Sequence, residues 1–564
     1  MKKAERGIRG VGHAGCVGLA IALMATACDG GDPVPMAGTQ ALTGRDISNL
    51  FFWKDRTLAF TRDTRDPSQP EPQDFLVWPL DEPEPSIALG GIDWTYPDRW
   101  PAWLVGDLLL TGTQYQRVYD VSSRQSADLF HDLSWTPPAG PEPPLYELLE
   151  MTTMRPDGLA FAKVMPGDES TVVVGRPPDL RTFAMAGGTS IGAVTFAGSD
   201  LVVLVRQKTA ETDLIGIQRM DTASGALSDL VAPTAAAEWA GVTGFCEDDQ
   251  MPGTCGFFGA VGCGLQEPAC PDGHTPPCLI VYAKVDPDDV TKTAAYVHDV
   301  AAGTTSKLAG ANANRFVADR RNHLLVWGSG ADQYTSYWNT CGDVRGTCDT
   351  WPGPIFAWRP DGGAFAMYGA QQSMRIVNVS DGTCTAPDPE KTFSVYSAQY
   401  SPRSDRLWWS SANDATETSF TVWLADGGGQ SPVAVATDTM VGAGFSRDGQ
   451  RLFISHNGAS NAALGWVDVA ASPPVENILS TNRGDVGLLG NRWALFVDHF
   501  NAQDGNGELV LVDIATGTRQ SLARAVTGVA LAGVSEDAGT DIAYAVRGRA
   551  ASARDGLWLT TLPP

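Results

Sequence analysis

The sequence predicts an all-β protein, a β-propeller of four-stranded blades, and three observations carry that prediction. A turn of Pro, Asp or Gly followed by an alternating apolar strand recurs along the chain. A second motif, a strand ending in Asp and a polar turn, trails each copy. Beyond the first 30 or so residues no stretch shows the 3.6-residue periodicity of an amphipathic helix.

The chain has 564 residues, 43% of them hydrophobic, with 17 Trp and 20 Phe, enough for one large domain or two to three smaller ones and not a disordered composition. Its formal net charge of -25 repels phosphate backbones and anionic head groups. Nucleic-acid binding and membrane binding through basic patches are therefore not expected.

The first element is an export signal. Residues 1–27 carry Lys2, Lys3, Arg6 and Arg9, then an apolar run from Ala14 to Met24, then small residues. Ala25-Thr26-Ala27 fits a signal-peptidase site, while Ala27-Cys28 resembles a bacterial lipobox, with Ala25 where Leu is usual. Both readings cut before Cys28, and the second places a lipid on it. Residues 28–45 then form a flexible tether rich in small residues and Pro. Removing the signal leaves 36 basic against 64 acidic residues, a net charge of -28, so the acidity belongs to the body. The implied location is the bacterial cell envelope, lipid-anchored, with the body in the periplasm or at the cell surface, and with membrane contact through the anchor only.

The repeats follow. Met154-Arg-Pro-Asp-Gly-Leu-Ala-Phe-Ala162, Trp358-Arg-Pro-Asp-Gly-Gly-Ala-Phe-Ala366, Tyr400-Ser-Pro-Arg-Ser-Asp-Arg-Leu-Trp-Trp409 and Phe445-Ser-Arg-Asp-Gly-Gln-Arg-Leu-Phe-Ile454 are hairpins, since Pro presets one turn angle and Gly accepts positive φ. The trailing motif reads Gln218-Arg-Met-Asp-Thr-Ala-Ser-Gly225, Arg375-Ile-Val-Asn-Val-Ser-Asp-Gly382 and Leu511-Val-Asp-Ile-Ala-Thr-Gly517. Starts near residues 400, 445, 490 and 535 recur every 45 or so residues, roughly the length of one four-stranded blade. The hairpin followed by x-Val-x-Asp-x-x-x-Gly resembles the TolB-type propeller repeats of bacterial envelope proteins over most of residues 46–564. That resemblance implies architecture and no activity. Ten or eleven repeats exceed the roughly four to eight blades typical of one ring. The expected arrangement is two consecutive propellers, 46–310 and 311–564, the alternative being one large propeller with irregular blades.

Two Cys-containing insertions, 246–278 and 335–354, interrupt the pattern. Cys246, Cys255, Cys263, Cys270 and Cys278 form an odd cluster, and Cys341, Cys348 and Cys384 an odd group. In an oxidising compartment all eight pair only if at least one bond joins the two groups. A Cys341–Cys348 bond would close a local loop. Zinc sites want closer Cys pairs than these six-to-eight-residue gaps, and His274 is the only nearby histidine.

Catalytic signals are sparse. Gly188-Thr-Ser-Ile-Gly192 spells a nucleophile elbow around Ser190, but a strand follows it where a helix is required. Asp504-Gly-Asn-Gly-Glu508 reads as a tight hairpin rather than a Ca²⁺ loop. No His pair has metal-site spacing, and no catalytic residue, metal or cofactor is assigned. Trp94, Tyr96, Trp100 and Trp103 read as packing between blades. Tyr334, Tyr337 and Trp338 sit where a repeat is interrupted and form a possible recognition loop. The functional expectation is a non-catalytic envelope lipoprotein whose propeller binds a protein partner or cell-wall material. The alternative is an exported glycan lyase or hydrolase with a site built from scattered loop residues.

Overall fold

The computed structural model describes residues 36–562, apart from 64–72, 93–101, 112–116, 134–151, 240–254, 264–269, 320–323, 330–333, 349–354, 369–373, 388–393, 458–461, 533–538 and a few shorter gaps. The export signal, Cys28, Cys246 and the segment 94–100 lie outside the described residues.

The described chain is a β-propeller of antiparallel sheets, each made of strands adjacent in sequence except for one added edge strand in each of two sheets. Blades 1 to 5 span 47–92, 102–128, 152–184, 189–235 and 258–307. Blades 6 to 9 span 315–348, 355–385, 395–438 and 441–480. The last sheet has seven strands because one long strand, Arg519–Leu531, serves two blades. Its first half pairs with Asn506–Asp513 to finish blade 10, and its second half pairs with Asp541–Val546 to begin blade 11. Blade 11 is completed by Gly556–Thr561 and, on its outer edge, by the N-terminal strand Thr39–Thr43.

Local chemistry explains the two sequence motifs. In the first, the Asp side chain accepts a backbone N–H two residues on: Asp157 from Leu159, Asp361 from Gly363 and Asp448 from Gln450. Residues two before the Asp, Arg155, Arg359 and Ser446, donate to the same carboxylates and clip the turn. In the second, Asp513 accepts the N–H groups of Ala515 and Thr516, and the N–H of Gly517 donates to the Asp513 carbonyl. Gly517 sits at φ 71°, a conformation that L side chains adopt at a cost. Asp221 and Asp299 repeat the arrangement. In blade 2 Arg124 takes the glycine's place at φ 58°.

Strand alternation sends successive side chains to opposite faces, and both faces are apolar. In blade 10, Leu495, Val497, Leu509 and Leu511 pack toward blade 11, whereas Ala494, Phe496, Val510 and Val512 pack toward blade 9. In blade 6, Leu324, Val326 and Tyr337 meet blade 7, and Leu325, Trp327 and Trp338 meet blade 5. Among the described residues each buried cluster joins blades adjacent in sequence, and one further cluster joins blade 11 (Ala543, Ala545, Leu557) to blade 1 (Leu58, Phe60, Trp78). That is the packing of the single large propeller. The division expected near residue 311 falls inside one cluster that runs from Val202 through Leu308 and Ala313 to Trp338.

Three disulfides reinforce this stretch: Cys263–Cys278, Cys270–Cys341 and Cys348–Cys384. The second is the bond between cysteine groups that parity required, and the third ties blade 6 to blade 7. The expected local loop is corrected, since Cys341 follows the strand Tyr334–Asn339 and Cys348 pairs with Thr335 at its other end. Four strand residues separate Asn339 from Thr335, roughly 13 Å, beyond the reach of a disulfide. Cys255 lies in a short strand that adds a fifth member to the blade 6 sheet.

Two further expectations are corrected. The tether cannot extend to residue 45, because Thr39–Thr43 is a paired strand and Met36 and Ala37 already pack on the blade 10–11 core. Of the stretch 335–354, residues 335–348 are no insertion either, since Tyr334–Asn339 and Val344–Cys348 are the third and fourth strands of blade 6, and 349–354 lie outside the described residues.

Closure depends on backbone approach at Gly556, where φ is 148° and a Cβ would lie 1.9 Å from the Leu42 carbonyl oxygen. Gly556→Ala is expected to cost about 3 kcal/mol in denaturant unfolding. Gly505→Ala, at φ 63° with nothing within 4 Å, should cost only about 1 kcal/mol.

Candidate functional site

The hairpins between first and second strands, and the turns between third and fourth, all lie on one face of the ring because antiparallel strands alternate in direction. On this face three consecutive hairpins interlock. The Ser404 hydroxyl donates to the Ser401 hydroxyl at 2.7 Å and reaches the Gly449 carbonyl of blade 9 at 3.5 Å. The Asp448 N–H donates to the Asn491 side chain of blade 10 at 2.9 Å, and Arg451 donates to the Asn491 carbonyl. Ser401 and Ser446 are fully buried, so these turns are held as part of the core.

Below them opens a groove of about 550 Å³ between blades 8 and 9, lined among others by Arg403, Arg406, Asp448, Arg451, Trp466 and Asp468. Arg403 is exposed, whereas Arg406, Arg451 and Trp466 are half-buried. The Arg451 guanidinium lies over the Trp466 ring, 5.4 Å from its centroid, which fixes both. Neither Arg403 nor Arg406 meets a carboxylate among the described residues. Asp448 and Asp468 each commit Oδ1 to turn N–H groups, which leaves Oδ2 as an open acceptor among the described residues. The groove therefore offers donors from blade 8 and acceptors from blade 9, while the Trp466 ring at its margin packs on the blade 9–10 core under the Arg451 guanidinium.

The N-terminal strand starts on this same face, because Thr39 pairs near the end of Gly556–Thr561, the third strand of blade 11.

Charged groups elsewhere serve different ends. On the opposite face His456 Nε2 lies 2.8 Å from Glu476 and Nδ1 3.4 Å from Asp438, and the Glu476 hydrogen bond outweighs burial in raising its pKa. Glu417 accepts from Ser394 and Tyr396, and those bonds lower its pKa. Lys163 is completely buried between Phe161 and Met165 on the side of blade 3 facing blade 2, with its Nζ 3.4 Å from the Thr152 hydroxyl. Burial pushes its pKa down to about 7.

The residues expected to form a recognition loop are not one. Tyr337 and Trp338 lie on a regular strand and are buried. Tyr337 meets Phe365 edge-on at 5.9 Å, and the Trp338 indole donates to Asp343 at 2.9 Å. Burial on both faces of blade 6 consumes them as packing, and the Tyr334 side chain lies outside the described residues. Ser190 is on the strand Thr189–Ala197. At 501–505 the chain makes a tight hairpin turn, with the Gly505 N–H donating to the Asn501 carbonyl. No group of three or more His, Cys, Asp and Glu side chains among the described residues is placed to hold a metal. Sequence reasoning missed the groove, although its arginines stand inside the quoted hairpins, because the turn motif alone does not say which residues neighbouring turns bring together.

No family model and no curated protein matches the chain. Among solved structures it is similar to a tricorn protease (TM-score 0.28, 11% identity, 93% of this chain and 58% of that one). It is also similar to a eukaryotic initiation factor (TM-score 0.36, 10% identity, 80% and 92%). A third likeness is to TolB from Acinetobacter baumannii (TM-score 0.22, 11% identity, 82% and 78%). Likenesses this weak carry no inference about what the chain binds.

Two titrations follow from this geometry. His456 has a raised pKa in the folded state, so its stabilisation is complete below the unfolded value near 6.5 and is lost as pH rises through the folded value. The gap in melting temperature between wild type and His456→Asn should be wider at pH 5.5 than at pH 8.5. Lys163 behaves oppositely: folding expels its proton between pH 7 and 10, so the cost of burying it is greatest at and below neutrality. Lys163→Met should raise the melting temperature most at pH 6.5 and by a shrinking margin toward pH 10.

Proposed function

We propose that the protein is a non-catalytic lipoprotein of the bacterial cell envelope whose propeller is a binding scaffold for an envelope protein or cell-wall material. The observation that carries this reading is the groove between blades 8 and 9. Among the described residues Arg403 and Arg406 have no carboxylate partner, in a chain of net charge -25, on turns held rigid by buried serines. A rigid concave surface with unspent donors is suited to recognition.

The N-terminal geometry supports the tethering half of the reading. With a lipid on Cys28, residues 28–35 extend at most about 29 Å before the chain joins the ring. The anchor then leaves from the face that carries the groove, and a partner there is met close to the membrane.

Crosslinking in native envelopes, followed by mass spectrometry, tests the proposal. Tagged wild type should capture a specific partner, Cys28→Ala should capture less of it, and Arg403→Gln/Arg406→Gln should lose it at least tenfold. Absence of any specific capture by wild type would overturn the scaffold reading.

A further inference from the structure

We propose that the groove between blades 8 and 9 binds a carboxylated sugar residue, an inference that rests on the groove being the contact surface of the scaffold. Its volume of about 550 Å³ admits one or two pyranose rings and falls within the usual range for small-molecule sites. A folded partner would need a far larger surface, on the order of 800 Å² per side.

The donor and acceptor pattern selects among small anions. Arg403 and Arg406 both line the groove, and a guanidinium fork matches a carboxylate. Asp448 and Asp468 line the same groove with open Oδ2 atoms, so a phosphate or sulfate, negative on every side, would meet repulsion there. A sugar acid satisfies both walls, with its carboxylate on the arginines and its hydroxyl groups donating to the aspartates. An acidic peptide shares the carboxylate but lacks the hydroxyl donors that a sugar ring sets around it. The shared ligand chemistry is a carboxylate on a pyranose, whether from a hexuronate or from a lactyl-ether amino sugar.

The test is calorimetry on the mature protein in detergent. The probes are a hexuronate trisaccharide, an N-acetylglucosamine–N-acetylmuramic acid disaccharide, their neutral counterparts, inorganic phosphate and tri-glutamate. At least one acidic sugar should bind tenfold or more tightly than its neutral counterpart, and whichever arm responds names the source. Arg403→Gln/Arg406→Gln should weaken that binding at least tenfold. Asp468→Asn should weaken it several-fold while improving the binding of phosphate, a change in selectivity that loss of structure would not produce. If the double variant fails to fold, Arg403→Gln alone, at an exposed position, should still weaken binding. Equal binding of acidic and neutral sugars, or tighter binding of tri-glutamate, overturns the inference. Envelope crosslinking of the double variant separates the two proposals. Partner capture that depends on the arginines without sugar binding sinks the sugar inference and leaves the scaffold. Sugar binding that needs the arginines, in a protein that captures no protein, sinks the protein-partner half of the scaffold reading and leaves the sugar site.

Discussion

Every blade in this protein has two apolar faces, and that constraint governs the rest of the structure. A sheet such as blade 10, with Leu495 and Leu511 on one side and Phe496 and Val512 on the other, must have a neighbour on each side or leave one face in water. Each large side chain so buried contributes about 2 kcal/mol, far more than an exposed ion pair of about 0 to 1 kcal/mol. A row of such sheets has unsatisfied ends, and a ring has none. The chain meets this demand by borrowing its first strand to complete its last blade and packing that blade on the first. The consequence for function is that the segment carrying the proposed anchor is also the closing strand.

The turns carry a second consequence. An acidic chain would be expected to surround any arginine with carboxylates. Here many aspartates are committed to backbone N–H groups at turns, as at Asp221, Asp448 and Asp513. These bonds hold the carboxyls of Asp221 and Asp513 below the usual carboxylate range. Several of these aspartates also pair with an arginine at their own turn, as Asp157 does with Arg155 and Asp513 with Arg492. Between blades 8 and 9, by contrast, Arg403 and Arg406 line one groove and meet no carboxylate among the described residues.

The hairpin at Arg155-Pro-Asp-Gly158 and the turn at Asp513 to Gly517 were legible in the sequence because their geometry is set within a few residues, by a side-chain acceptor and a glycine of positive φ. The same locality made the all-β class and the blade period readable. The need for a disulfide between the two cysteine groups was also legible, because parity requires no geometry. Its partners were not, because Cys341 and Cys348 are close in sequence yet stand at opposite ends of a hairpin. Tyr337 and Trp338 misled for a related reason: aromatic residues in an irregular stretch suggest recognition until a neighbouring blade is seen to cover them.

The sequence by itself therefore determined the strand alternation and the turn chemistry, each of which depends on residues within one or two turns of one another, and the acidity of the chain, which needs no geometry. The tertiary structure decided the packing of one ring, the seam between residues 39 and 561, and the groove that brings Arg403 and Arg406 together with Asp448 and Asp468. These depend on how far each blade rotates against the next. That rotation is set by interlocking side chains on two separate sheets, and no local pattern in either sheet contains it.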